Sequence, residues 1–167
     1  MRTTRLPVRG LDRLDRRILA LLQADGRISM KDLAETVGLT ITPCIERVKR
    51  MERDGVIMGY YARLNPALLG SALLVFVEIT LNNKAGNMFE QFRREVLRIP
   101  EVMECHLVSG DFDYLIKARI REIGEYRRLL GDILLQLPGA AQSKSYVVME
   151  EIKETLAIPV DEKGQPA

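Results

Sequence analysis

Gly38 is the residue that most narrows the folds open to this chain. It separates two short runs of helical period within Arg27–Ile57, RISMKDLAETVGLTITPCIERVKRMERDGVI. Ser29, with Asp32 three residues on, marks a helix start as an acidic variant of the capping box. Leu33, Ala34 and Val37 recur at helical spacing, and Gly38 ends the run where a left-handed residue is wanted. Leu39 follows, and Thr40 or Thr42 can cap a second helix that accepts Pro43 in its first turn. Two helices about a glycine turn form a helix-turn-helix.

The second helix has two unlike faces. At about 100° per residue, Ile41, Cys44, Ile45, Val48 and Met51 make one apolar stripe. Thr42, Glu46, Lys49, Arg50 and Arg53 fall opposite, with Arg47 on the flank. A helix lying in a major groove needs this division, one face held by its domain and the other carrying donors for phosphates and base edges. A solvated charged face has the same periodicity. The short preceding helix and the glycine turn favour the DNA reading.

Charge is split along the chain in the same sense. The 167 residues carry a net charge of +2, but residues 1–63 hold 13 Lys and Arg against 8 Asp and Glu, and residues 64–167 hold 12 against 15. A basic front suits a polyanion and an acidic back suits another task. No apolar run approaches the roughly 18 residues needed to span a membrane. The first ten residues, MRTTRLPVRG, lack an apolar core and a cleavage site, so they do not read as a signal peptide. Arg2, Arg5 and Arg9 in that stretch describe a basic tail that can graze phosphates. Cys44 and Cys105 belong to no metal or redox motif and read as small buried residues of a reducing cytoplasm.

Leu14, Ile18, Leu21 and Leu22 predict an amphipathic helix over 12–24, capped by Asp12, which closes the core of the helix pair. Asp54-Gly55 marks a turn, after which VIMGYYARL can pair as a short β-ribbon, making residues 11–63 a winged helix-turn-helix domain. Tyr60 and Tyr61 read as strand packing ahead of any stacking role. Asn65-Pro66 and Gly70 punctuate a linker at 64–71. ALLVFVEITL then reads as a strand, residues 87–98 as a helix, EVMECHLV and FDYLIKARI as strands about Ser109-Gly110-Asp111. A helix over 124–137 and a last strand in SKSYVVMEEI complete β-α-β-β-α-β, with a tail at 154–167 whose end, DEKGQPA, carries no pattern. The fold class is α+β, a winged helix-turn-helix followed by a ferredoxin-like βαββαβ domain over 72–153. Two helices cover one face of such a sheet; strands as apolar as LLVFV and YVVM predict that the other face is buried against another subunit.

No catalytic or metal constellation emerges. His106 is the only histidine and lacks partners, Glu150-Glu151 point to opposite faces of a strand, and Asp111 with Asp113 flank a hairpin where turn geometry wants Asp. In Ser109–Tyr114, SGDFDY, backbone N–H groups at Gly110 and the two carboxylates can also hold a small zwitterion. Local chemistry alone favours the plain turn.

The segments LDRLDRRIL, DGRIS, VGLT, TPCIERVKRME, LLVFVEITLN, ECHLVSGDFDY and SYVVMEE stand in one order, and over roughly residues 11–153 the chain resembles the Lrp/AsnC family, the feast/famine regulators of bacteria. The resemblance implies a non-enzymatic regulator of transcription that binds double-stranded DNA and needs no cofactor or metal. It implies an amino-acid effector, usually leucine in proteins of this type, bound in the sensory domain at contacts between dimers, and dimers formed by stacked sheets that assemble into octamers or larger discs on nucleoid DNA. It implies a recognition helix over Thr42–Arg53, with Thr42, Glu46, Arg47, Lys49, Arg50 and Arg53 as DNA contacts. It also reverses the preference for a plain turn: the effector region becomes Leu107, Val108, Ser109, Gly110, Asp111 and Asp113, with Tyr146, Val147 and Val148 nearby. The first ten and last dozen residues match no family pattern. Two rival readings remain, an amino-acid-binding regulatory subunit of a metabolic enzyme and an architectural DNA-wrapping protein of weak sequence preference.

Overall fold

The computed structural model describes residues 10–82 and 86–161. Arg2, Arg5, Arg9 and the patternless end of the tail, residues 162–167, lie outside the described residues. The chain forms two compact units, one of residues up to Arg63 together with those from Glu154 onward, the other Leu64–Lys153.

In the first unit, α1 (Arg13–Ala24), α2 (Met30–Val37) and α3 (Ile41–Arg53) enclose a core of Ile18, Leu22, Leu33, Ala34, Val37, Cys44, Val48 and Met51. Each helix starts and stops where side-chain chemistry permits. Asp12 accepts the Asp15 N–H at 2.8 Å while Asp15 accepts the Asp12 N–H at 3.1 Å, a reciprocal capping box on α1. Ser29 Oγ takes the Asp32 N–H at 3.1 Å to cap α2. Gly38 ends α2 at φ +74°, a left-handed turn that a side chain resists. Thr40 occupies the cap position of α3, so Thr42 lies inside the helix.

Among the described residues no strand forms between Arg53 and Leu73, which corrects the expected β-ribbon at VIMGYYARL. The N–H groups of Val56 and Ile57 both bond the Met51 carbonyl, at 2.9 and 3.1 Å, folding the chain back under α3. Tyr60 reaches Glu52 with its hydroxyl at 3.0 Å, while Met58 and Tyr61 stay exposed. Ile158 joins this unit: its N–H donates to Gln23 Oε1 at 2.8 Å and its carbonyl accepts from Gln23 Nε2 at 2.9 Å.

The second unit is a four-stranded antiparallel sheet in the order β2-β3-β1-β4, from β1 (Leu73–Leu81), β2 (Val102–Leu107), β3 (Tyr114–Ile120) and β4 (Ala140–Val147). Alternate residues of β1, Val75, Val77, Ile79 and Leu81, meet Phe92 and Val96 of α4 (Met88–Val96) on one face. Phe92 stacks on Tyr114 at 3.9 Å between ring centroids. The expected helix over 124–137 is interrupted. A short α5 (Ile123–Arg127) widens into a π-turn at Arg128–Ile133 and tightens into a 3-10 turn at Leu134–Gln136. The wider turn lets Leu129 and Leu134, five residues apart, both face the core, and Ile123 is left exposed.

The far face of the sheet differs from the apolar surface expected of it. Its residues include Phe76 and Leu115, but also Glu78, Lys117, Arg119 and Lys144, set there by the register of β1 with β3 and β4. Tyr146 donates to Glu78 at 2.9 Å, Lys117 reaches Glu104 at 3.1 Å and Arg119 reaches Glu151 at 2.6 Å. In a strand reading VFVEI, only every second residue belongs to one face, so the run of apolar letters overstated the exposed one. The stacked pair under the sheet is a sharp test of this core. Phe92→Ala should lower unfolding free energy by about 3–5 kcal/mol, read from urea denaturation with the slope unchanged.

Candidate nucleic-acid interface and sensing loop

The outward face of α3 is a narrow stripe. Thr42, Glu46, Lys49 and Arg53 follow at i, i+4, i+7 and i+11 and are all exposed, while Cys44, Val48 and Met51 are buried on the opposite side. Ile45 is half-buried and Ile41 exposed, so the apolar stripe is sealed only in its middle. Glu46 beside Lys49 gives an acceptor and a donor on one surface, the mixture base edges require.

Arg47 and Arg50 are placed differently from the other four expected contacts. Both are half-buried on the flank of α3 that faces α1. Arg47 Nη1 lies 2.6 Å from Asp12 Oδ2 and 2.8 Å from Asp15 Oδ1, and Arg50 Nη2 lies 2.5 Å from Asp15 Oδ2. Asp15 is wholly buried, which a carboxylate tolerates only with charged or hydrogen-bonded partners. Burial alone would raise the Asp12 carboxyl, but the Asp15 N–H and the Arg47 guanidinium outweigh it and hold it below its usual value. The Asp12 and Asp15 carboxylates in turn push Arg47 upward, against its partial burial. In the sequence Asp12 is legible as a cap, but Asp15 carries no visible role beyond its helix. The matched spacing of Asp12/Asp15 and Arg47/Arg50, each i, i+3, is the only trace, and nothing local says that the two helices cross there.

Tyr60 lies over Gly26, 3.7 Å from where a β-carbon would sit. Burial and Glu52 push its phenol up to about 12, so it stays a donor. Cys44 is buried, and Cys105, half-buried on the helix-facing side of β2, has its thiol raised by burial to about 11. Neither is a reactive thiolate at neutral pH.

The expected effector region does not converge within one chain. Leu107, Ser109, Gly110 and Asp111 are exposed and Val108 half-buried, on the turn from β2 to β3. Gly110 sits at φ +148°, a conformation that favours glycine. Asp113 is not an open carboxylate: it is buried, its N–H bonds the Ile79 carbonyl at 3.0 Å, and Oδ2 accepts the Leu81 N–H at 2.8 Å. It latches the turn to the end of β1. Tyr146 and Val147 lie opposite Phe76 and Val75, and the Val148 N–H bonds Leu74, toward the other end of β1. Ile79 and Val75 are four residues apart, roughly 13 Å along a strand. Tyr146 points to the far face and Val147 to the helices. The turn and the β4 residues are therefore separate patches of one subunit.

Among the described residues no group of His, Cys, Asp or Glu is placed to hold a metal ion, and no helix is long and apolar enough to cross a membrane. Residues 11–58 match a winged helix-turn-helix DNA-binding domain and residues 74–158 match the Lrp/AsnC ligand-binding domain. The leucine-responsive regulatory proteins of Escherichia coli and Salmonella typhimurium are each 57% identical to the chain over 149 residues, 89% of this chain and 91% of theirs. A transcriptional regulator from Neisseria meningitidis, solved with L-methionine, aligns with a TM-score of 0.86 at 32% identity over 92% of this chain and 99% of its own. An AsnC family regulator from Agrobacterium tumefaciens aligns at 0.83 and 36% identity, over 89% and 96%.

The chain belongs to the Lrp/AsnC family of transcriptional regulators. It is a DNA-binding regulator with a ligand-binding domain and not an enzyme, and the reading as a metabolic enzyme's subunit is set aside by the DNA-binding match. Because Arg50 is committed to Asp15, its removal should register first in stability. Arg50→Ala should lower unfolding free energy by about 1–3 kcal/mol, measured by urea denaturation of the free protein.

Proposed function

We propose that this chain is a sequence-specific regulator of transcription whose hold on DNA or whose assembly responds to leucine. Residues 11–63 serve as the DNA-binding domain and 72–153 as the sensing and assembly domain, joined at 64–71. The single observation that carries the reading is the polar stripe Thr42, Glu46, Lys49 and Arg53 on a helix set behind the Gly38 turn. That stripe enters the major groove, with Arg47 and Arg50 on its flank tied to α1. Identity to leucine-responsive proteins supports leucine as effector, and the methionine bound to the Neisseria meningitidis regulator supports an aliphatic amino acid in general.

Two copies stack through the mixed far face of the sheet, where the acids Glu78 and Glu104 stand among the bases Lys117, Arg119 and Lys144, so that opposite charges can pair across a two-fold axis. Larger assemblies follow on DNA in the cytoplasm, as part of the nucleoid. Leu107–Asp111 and Tyr146–Val148 lie too far apart in one subunit to touch one amino acid, so an effector site using both takes them from different copies. An effector shared between copies changes the assembly equilibrium by binding one state better than the other.

Anisotropy titration of a labelled duplex over a series of salt concentrations tests the DNA half. Lys49→Ala should reduce the slope of log affinity against log salt by about one unit, with thermal stability unchanged. An unaltered slope would take the stripe out of the interface. Calorimetry with a panel of amino acids tests the sensing half. Asp111→Ala, exposed and outside the core, should weaken leucine binding several-fold with an unshifted melting temperature; undiminished heat of binding would move the site elsewhere.

A further inference from the structure

Asp15 is chemically out of place in the core of the first unit. Its neighbours on the buried face of α1 are Ile18 and Leu22, and it is as fully buried as Ile18. Both its oxygens are used: Oδ1 on Arg47, Oδ2 on Arg50 and on the Asp12 N–H. With Asp12, the group contains two carboxylates and two guanidiniums, so it is neutral as a whole. Stability alone is a weak reason for such a group, since well-packed apolar residues in place of a buried ion pair are often as stabilising or more so. What an ion-paired carboxylate provides that a leucine would not is a fixed place for two cations.

That place matters because of where the arginines are. They lie on the flank of α3, one turn apart and beside the exposed stripe that contains Glu46 and Lys49. Each keeps about a quarter of its side chain exposed, at 26%. A free guanidinium at that position would find a phosphate on any duplex, adding affinity without information. Held on Asp15, its charge is cancelled and its reach is short.

We infer that Asp15 is a specificity-determining positioning residue, which withholds Arg47 and Arg50 from indiscriminate phosphate contacts and fixes how α3 is seated on α1. This rests on the reading of α3 as the recognition helix. The carboxylate acts through the arginines and touches no DNA itself. Its loss therefore changes the balance between cognate and non-cognate binding. A freed arginine helps wherever phosphates are found, while an unanchored α3 presents Thr42, Glu46, Lys49 and Arg53 less uniformly to a particular sequence.

The test uses the full chain and two duplexes of roughly 25 base pairs, enough for two half-sites one turn apart. One is selected by the wild-type protein from a randomised pool, and the other is a scramble of the same composition. Asp15→Asn keeps the shape and loses one negative charge. On the scrambled duplex it should steepen the salt slope by about one unit and tighten binding about fivefold at roughly 0.15 M salt. The selected duplex should show no such gain, so the preference for it falls by about fivefold. Arg50→Gln, compared with the double variant Asp15→Asn/Arg50→Gln, reads the same release of charge onto Arg47 in a background where the carboxylate has one partner fewer. The double variant should again be steeper by about one unit, which keeps the idea testable if Asp15→Asn alone does not fold. A lower melting temperature with slope and preference as in wild type would overturn the inference and leave Asp15 a purely structural residue. A wild-type protein with no salt-dependent duplex binding would instead overturn the recognition-helix reading beneath it.

Discussion

The first unit depends on one helix satisfying three environments at once. α3 gives Cys44, Val48 and Met51 to an apolar core, Arg47 and Arg50 to a buried carboxylate, and Thr42, Glu46, Lys49 and Arg53 to the outside. The first assignment follows from the hydrophobic effect and is non-directional. The second is directional, because a guanidinium must meet a carboxylate in its plane. The buried stripe on α1 and α2 and the ion pairs to Asp15 together hold one rotation of α3 about its own axis. That rotation decides which side chains form the outer stripe, and so what a duplex would meet.

The second unit solves a comparable problem with a sheet. β1 pairs on both sides and its alternation puts Val75, Val77, Ile79 and Leu81 under the helices. The residues between them, Phe76, Glu78 and Thr80, join Lys117, Lys144 and Tyr146 on the far face. A face of this kind carries aromatic area for contact and paired charges that stay soluble when exposed. It suits an association whose strength is to be tuned, more than a permanent apolar seam.

Much of this organisation was legible residue by residue. The caps at Asp12 and Ser29, the left-handed stop at Gly38 and the β-α-β-β-α-β order are local events, each written within a few positions and each present in the structure. Readings that depended on which competing partner a segment meets fared worse. VIMGYYARL has the composition of strands, yet the Met51 carbonyl captures Val56 and Ile57 before any ladder can form. The helix after Ile123 has a plausible 3.6-residue repeat, but the core takes Leu129 and Leu134 and stretches the turn to reach both. Asp113 looks like a ligand-facing carboxylate until the register of β1 brings the Leu81 N–H to it.

By itself, then, the order of residues determined the three helices of the first unit, the β-α-β-β-α-β order of the second, and that a basic helix-turn-helix precedes a ligand-binding domain. These properties come from φ/ψ preferences, capping and periodicity, which act over a few residues. Only the tertiary structure decided that Arg47 and Arg50 are bound to Asp15, that the far sheet face is charged, and that the 107–113 turn and Tyr146–Val148 are separate. Those outcomes depend on which side chains meet across long sequence separations. A charge or an apolar letter has no address until its neighbours in space are chosen.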